Sequence, residues 1–121
     1  MEGNFSDSTS IYLQIAAMLE DNILRDILRE EEQAPSTNEL ARAFSINPAT
    51  AAKGLNLLVD EGILYKKRGI GMFVAAGGKA RIVEKRKAAF YENYVKRLVQ
   101  EARSLGITEE ELAIMITTAR Q

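Results

Sequence analysis

At 121 residues, with 46% hydrophobic and 27% charged side chains, the chain is the size of one ordinary domain, or of a small domain carrying an oligomerisation arm. It has no cysteine and no histidine, which excludes disulfides, zinc fingers and thiol chemistry and removes the commonest metal ligand and general base. A net charge of -1 conceals an asymmetry: residues 1–34 hold 8 acidic and 2 basic side chains, whereas residues 66–97 hold 10 basic ones against Glu84 and Glu92. Charge so distributed points to an anion-facing surface in the second part of the chain.

Residues 1–9 are polar and acidic and read as a flexible tail without a signal-peptide pattern. No apolar run is long enough to span a bilayer, so the expected location is cytoplasmic and no membrane partner is expected. Ile11, Ile15, Met18, Leu19 and Ile23 recur at helical spacing and predict a first helix whose stripe is core, not a ligand pocket. The acidic residues 30–32 read as a surface turn.

Ser36 and Glu39 stand in the S-x-x-E spacing of a capping box, in which each side chain bonds the other residue's backbone N–H, and they predict a short helix over residues 37–44. Ser45 and Ile46 form a tight turn. Asn47 is then an N-cap, Pro48 sits at the first helical position where its missing N–H costs nothing, and Gly62 is a left-handed C-terminal stop. Within this helix, 48–61, Ala51, Leu55, Leu58 and Val59 make the buried stripe. Ala49, Thr50, Lys53 and Asn56 form the other face, which is small, polar and mildly basic.

Residues 63–75 read as a hairpin: Ile63, Leu64 and Tyr65 precede the turn, Met72, Phe73 and Val74 follow it, and Gly69 and Gly71 supply the backbone freedom a tight turn needs. Lys66, Lys67 and Arg68 are expected at its tip. Charged residues also blunt edge strands, so this cluster gains meaning only from the helices before it. Gly77 and Gly78 then read as a hinge. A helical pattern over residues 81–105 places Val83, Phe90, Tyr94, Leu98, Ala102 and Leu105 near one face. Gly106 ends it, and a second capping box, Thr108 with Glu111, starts a last helix with Leu112, Met115, Ile116 and Ala119. The basic cluster of Lys79, Arg81, Lys85, Arg86 and Lys87 reads as a solvated helix face.

Two capped helices, a turn and then a hairpin is the order of a winged helix-turn-helix. The expected class is α+β, mostly helical: a tail over residues 1–9, a winged helix-turn-helix over 10–76 and a two-helix C-terminal dimerisation arm over 77–121. Residues 35–74 also resemble the DNA-binding domain of the GntR family of bacterial transcription regulators. The shared elements are Pro35, Ser36, Glu39, Leu40 and Ala41; Asn47 and Thr50; Leu58, Glu61 and Gly62; and Gly69, Gly71, Phe73 and Val74. The Asn47-Pro48 opening resembles the YtrA-like branch, which has short C-terminal regions and for which dimerisation is implied. Asn38, Pro48 and Ala52 stand where many relatives carry arginines that commonly contact DNA, and Glu30 and Glu31 replace the usual Pro-Gly turn.

The resemblance implies a sequence-specific regulator, most simply a homodimeric repressor, whose helix 48–61 enters the major groove while the hairpin approaches the minor groove or backbone. Asn47, Ala49 and Thr50 would lie nearest base edges, and Ser36, Thr37 and Asn38 would hold phosphate through backbone N–H groups. Lys53, Lys66, Lys67 and Arg68, with Gly69 and Gly71 shaping the wing, would supply phosphate contacts. So few cations make a weak monomer, so Phe90, Tyr94, Leu98, Leu105, Leu112 and Ile116 are expected to pair two copies on a pseudo-palindromic duplex. The alternative is a winged helix used as a protein-interaction module without DNA binding. No enzyme is expected, because Gly69-Ile70-Gly71 lacks the third glycine of a nucleotide loop. No metal or cofactor is expected, and a C-terminal region of about forty residues is small for an effector cavity.

Overall fold

Helix α1 (Ile11–Leu24) turns Ile15, Leu19 and Ile23 inward, and all three are buried, as their spacing requires. The computed structural model describes residues 10–121, so the expected 1–9 tail lies outside the described residues. Two residues of the expected stripe differ: Ile11 is 38% exposed and Met18 only partly buried, while Ala16 and Glu20 fill the face. The residues of α1 that Gly54 approaches are Tyr12 and Ile15.

Asp26 and Glu31 adopt positive φ (59° and 67°) in the segment that follows α1. Segment 31–34 then pairs with the outer edge of a hairpin strand: Glu31 N–H donates to Val74 O (2.8 Å), Val74 N–H to Glu32 O (3.0 Å) and Ala34 N–H to Met72 O (2.8 Å). The acidic run is therefore more than the expected surface turn. Glu31 also accepts from the Tyr65 hydroxyl (2.7 Å), Glu30 from Gly77 N–H (2.9 Å), and Asp26 pairs with Lys79 (3.0 Å). These exposed carboxylates tie Tyr65, Gly77 and Lys79 to this loop.

Helix α2 (Thr37–Phe44) has the expected reciprocal capping box at Ser36 and Glu39 and ends at Ser45 in the left-handed region. Helix α3 (Pro48–Asp60) is capped by the Asn47 side chain on Ala49 N–H (2.8 Å), and Gly62, at φ 75°, closes its far end. Ala51, Leu55 and Leu58 are buried and Val59 only partly so; Gly54 is buried with them. Strands β1 (Leu64–Lys67) and β2 (Gly71–Val74) pair antiparallel from Leu64 with Val74 to Lys67 with Gly71. Leu40, Ile63, Leu64 and Val74 complete the core with the helices.

Helix α4 (Gly78–Phe90) begins inside this core, since Gly78 and Ile82 are buried and a Cβ at Gly78 would lie 2.8 Å from Ile63 O. Gly77 makes the turn at φ 79°, while Gly78 is a packing contact and not part of a hinge. The first compact unit accordingly runs to Val83, beyond the expected boundary at residue 76. The second unit, Glu84–Gln121, holds the rest of α4, a π-helical turn (Tyr91–Val95), α5 (Lys96–Ser104) and α6 (Glu109–Ala119). Its expected Thr108–Glu111 capping box is present. Of its residues only Ala102 is buried. The whole is mostly helical with a small two-stranded sheet.

Candidate nucleic-acid interface

The β1–β2 register assigns only Arg68, Gly69 and Ile70 to the turn, so Lys66 and Lys67 belong to β1 and not to the tip as expected. Ile70 N–H donates to Lys67 O (3.0 Å) across a β-turn with Gly69 at φ 77° in its third position, as a type II turn demands. Because successive strand side chains alternate, the two lysines leave opposite faces of the hairpin. Lys67 lies 4.3 Å from the centroid of the Phe73 ring, and Tyr65 stacks beside Phe73 at 5.9 Å. Lys66 pairs with Met72, on the face that also carries the buried Leu64 and Val74.

The N-terminus of α2 and the hairpin enclose a groove of about 360 Å3. Pro35, Ser36, Thr37 and Asn38 line one side, Lys66, Lys67, Gly69, Ile70, Gly71 and Met72 the other, and Leu55 the floor. Gly71 is required there: a Cβ would fall 2.6 Å from Gln33 Nε2, which instead donates to Ile70 O (3.1 Å) and braces the tip. At the α2 terminus Ser36 holds the Glu39 carboxyl below its ordinary range, chiefly through its backbone N–H and then its hydroxyl, with Arg42 adding to the effect. On the other hairpin face, the bond to Glu31 raises the Tyr65 phenol above its ordinary value.

The residues of α3 and its cap that were expected at the site stand apart from this groove. Asn47, Ala49 and Lys53 are exposed and Thr50 is half-buried. Ala49 and Lys53 border a second depression of about 490 Å3 with Tyr12, Ala52, Asn56, Leu57 and Asp60. There the Lys53 ammonium lies 4.0 Å from the centroid of the Tyr12 ring. The expected residues thus divide between a groove flanked by the hairpin and α2 and a depression between α1 and α3, while Asn47, Thr50 and Arg68 line neither. Among the described residues no group of three or more acidic, histidine or cysteine side chains is arranged to hold a metal ion.

The model of the bacterial regulatory proteins, gntR family, matches residues 11–74. The chain belongs to the GntR family. The HTH-type transcriptional repressor YtrA of Bacillus subtilis is 32% identical over 105 residues, covering 87% of this chain and 80% of the relative. A putative GntR-family regulator from Bacteroides thetaiotaomicron has a solved structure with a TM-score of 0.79 at 36% identity, covering 92% of this chain and 96% of its own. The DNA-binding domain of AraR, solved with an operator, superposes with a TM-score of 0.54 at 29% identity, over 62% of this chain and 92% of its own.

In this GntR-family chain two residues that touch the expected site residues or the hairpin tip were not among those expected from the sequence. Tyr12 was hidden inside a core-like helix pattern, and Gln33 braces the wing from 37 residues before Ile70. A signal for the first did exist. Gly54 in mid-helix sacrifices propensity, and such a glycine marks a close approach, here by the backbone and side chain of α1.

Proposed function

We propose that this GntR-family regulator is a sequence-specific, duplex-DNA-binding repressor that acts as a homodimer in the cytoplasm. The observation that carries the reading is the convergence of the α2 N-terminus and the basic hairpin on one groove, which Leu55 of α3 also lines. Helix α3 enters the major groove with Asn47, Ala49 and Thr50 toward base edges, where a small apolar side chain can meet a thymine methyl and a hydroxyl either base or phosphate. Thr37 and Asn38 present the first-turn N–H groups of α2 to a phosphate beside Ser36, whose own N–H is held by the Glu39 carboxylate (3.0 Å), and Lys66, Lys67 and Arg68 anchor the wing. The repressor name of YtrA and the operator bound to AraR support this reading. Membership of a family of regulatory proteins places the chain among regulators and not enzymes.

Pairing falls to the second unit. Phe90, Tyr94, Leu98, Leu105 and Ile116 are exposed and Leu112 half-buried, a concentration of apolar surface that a second copy would cover. Two DNA-binding domains held together turn modest contacts into avidity on a pseudo-palindromic site. Titration of a random-sequence duplex over a salt series tests the DNA-binding part: log affinity should fall linearly with log salt. Binding indifferent to salt would reject it in favour of a protein-interaction module.

A further inference from the structure

The α1–α3 depression brings Tyr12 of α1 together with Lys53 of α3. Lys53 is exposed at its edge, yet its ammonium lies 4.0 Å from the centroid of the half-buried Tyr12 ring. The pairing is built in by the packing beneath it. A Cβ at Gly54 would lie 2.9 Å from the Tyr12 carbonyl oxygen and 3.0 Å from Ile15 Cγ2, so only glycine lets α3 sit this close to α1. The residue just before it on α3, Lys53, is thereby carried over the ring.

A free lysine side chain samples many rotamers, and each must be given up when it meets a phosphate. A ring face attracts the ammonium without neutralising it, so the charge is held in place and stays available. Among the described residues, Lys53 is the only cation bordering this depression, whose acidic member is Asp60, and none of them lines both this depression and the wing groove.

We propose that Tyr12 is a positioning residue for DNA binding: its ring holds Lys53 at the α1 edge of the recognition helix, where the ammonium meets a backbone phosphate at a point separate from the wing. This rests on the DNA-binding reading above. The contact is with phosphate, so it contributes to affinity for every duplex and not to sequence preference.

The test uses the full-length chain with Tyr12→Leu, Tyr12→Phe, Lys53→Ala and the Tyr12→Leu/Lys53→Ala double variant. Affinity for a random duplex is measured over a salt series, with thermal unfolding alongside. Lys53→Ala should lower the log–log salt slope by about one. Tyr12→Leu should weaken binding about two- to fivefold, Tyr12→Phe should restore it, and Tyr12→Leu should add nothing once Lys53 is gone. Equal losses in Tyr12→Leu and Tyr12→Phe would overturn the proposal by assigning the effect to the hydroxyl. Additive losses in the double variant would overturn it by separating the two residues, as would a Tyr12→Leu chain that binds like the parent.

Proton NMR of the free protein supplies an arm independent of DNA. The Lys53 ε-methylene signals should show a ring-current shift in the parent and in Tyr12→Phe that disappears in Tyr12→Leu. Its absence from the parent would overturn the pairing itself, whereas a parent that shows the shift but binds no duplex would overturn the DNA-binding reading and the phosphate role with it.

Discussion

Single residues decide how closely the elements of the first unit approach. Gly54 is the sharpest case: alanine would improve helix propensity by about 1 kcal/mol, but its Cβ would press on backbone, which cannot swing aside. Gly54→Ala should therefore destabilise the fold by about 1–3 kcal/mol in urea denaturation, and a stabilised variant would contradict the α1–α3 packing described above. The α2 cap makes a prediction in pH. Because the folded state depresses the Glu39 pKa, its contribution is present at neutral pH and is lost as pH falls through the depressed value. Urea melts of the parent and of Glu39→Gln should differ near neutrality and converge in acid; a gap constant with pH would contradict the charged cap. Such caps were legible in the sequence because donor and acceptor lie three residues apart. The bonds of Glu30 and Glu31 were not, since Gly77 and Tyr65 lie 47 and 34 residues away along the chain.

Among the elements, those with local stop signals were read with their ends nearly in place. Helix α2 follows from its capping box and α3 from Asn47, Pro48 and Gly62. The pairing of segment 31–34 with β2 escaped notice because its partners lie about forty residues on and its acidic composition argues against a strand. Hairpin register was also hidden. A one-residue change in turn position decides which face each lysine takes, and composition does not fix it. With Lys66 on the helix side and Lys67 over Phe73, each should act as a separate phosphate contact. Lys66→Ala and Lys67→Ala should each lower the salt slope by about one on operator and random duplex alike. Thr50→Ala should instead erode preference for the operator with little change in slope. A lysine variant with unchanged slope removes that residue from the contacts.

The arm shows a subtler departure from the expected uniform helix. Residues four apart overshoot a full α-helical turn, so a stripe spaced by fours drifts around the axis. The i→i+5 bonding of the π-helical turn over Tyr91–Val95 underwinds the helix locally and offsets that drift. Phe90 and Tyr94 accordingly sit with ring centroids 5.5 Å apart, and Leu98 follows four residues later. Periodicity suggested the stripe, but not the backbone change that straightens it.

At the scale of the whole molecule, the modest net charge and the few cations of the first unit are the reason the proposed function includes pairing. The second unit leaves Phe90 58%, Tyr94 65% and Leu105 66% exposed, more apolar surface than a self-sufficient helical arm would present. Leu98→Asp should therefore shift the chain from dimer to monomer in sedimentation equilibrium and weaken operator binding about tenfold or more, while thermal unfolding of the first unit is retained. A parent chain that sediments as a monomer would remove the arm from the mechanism. The central claim is that two copies read a duplex through α3 and hold it through their wings. Selection of bound sequences from random DNA, at stated salt, tests it most directly: the enriched sites should be pseudo-palindromic, with two half-sites at one fixed spacing. Enrichment of a single unrepeated half-site, or no enrichment at all, would contradict it.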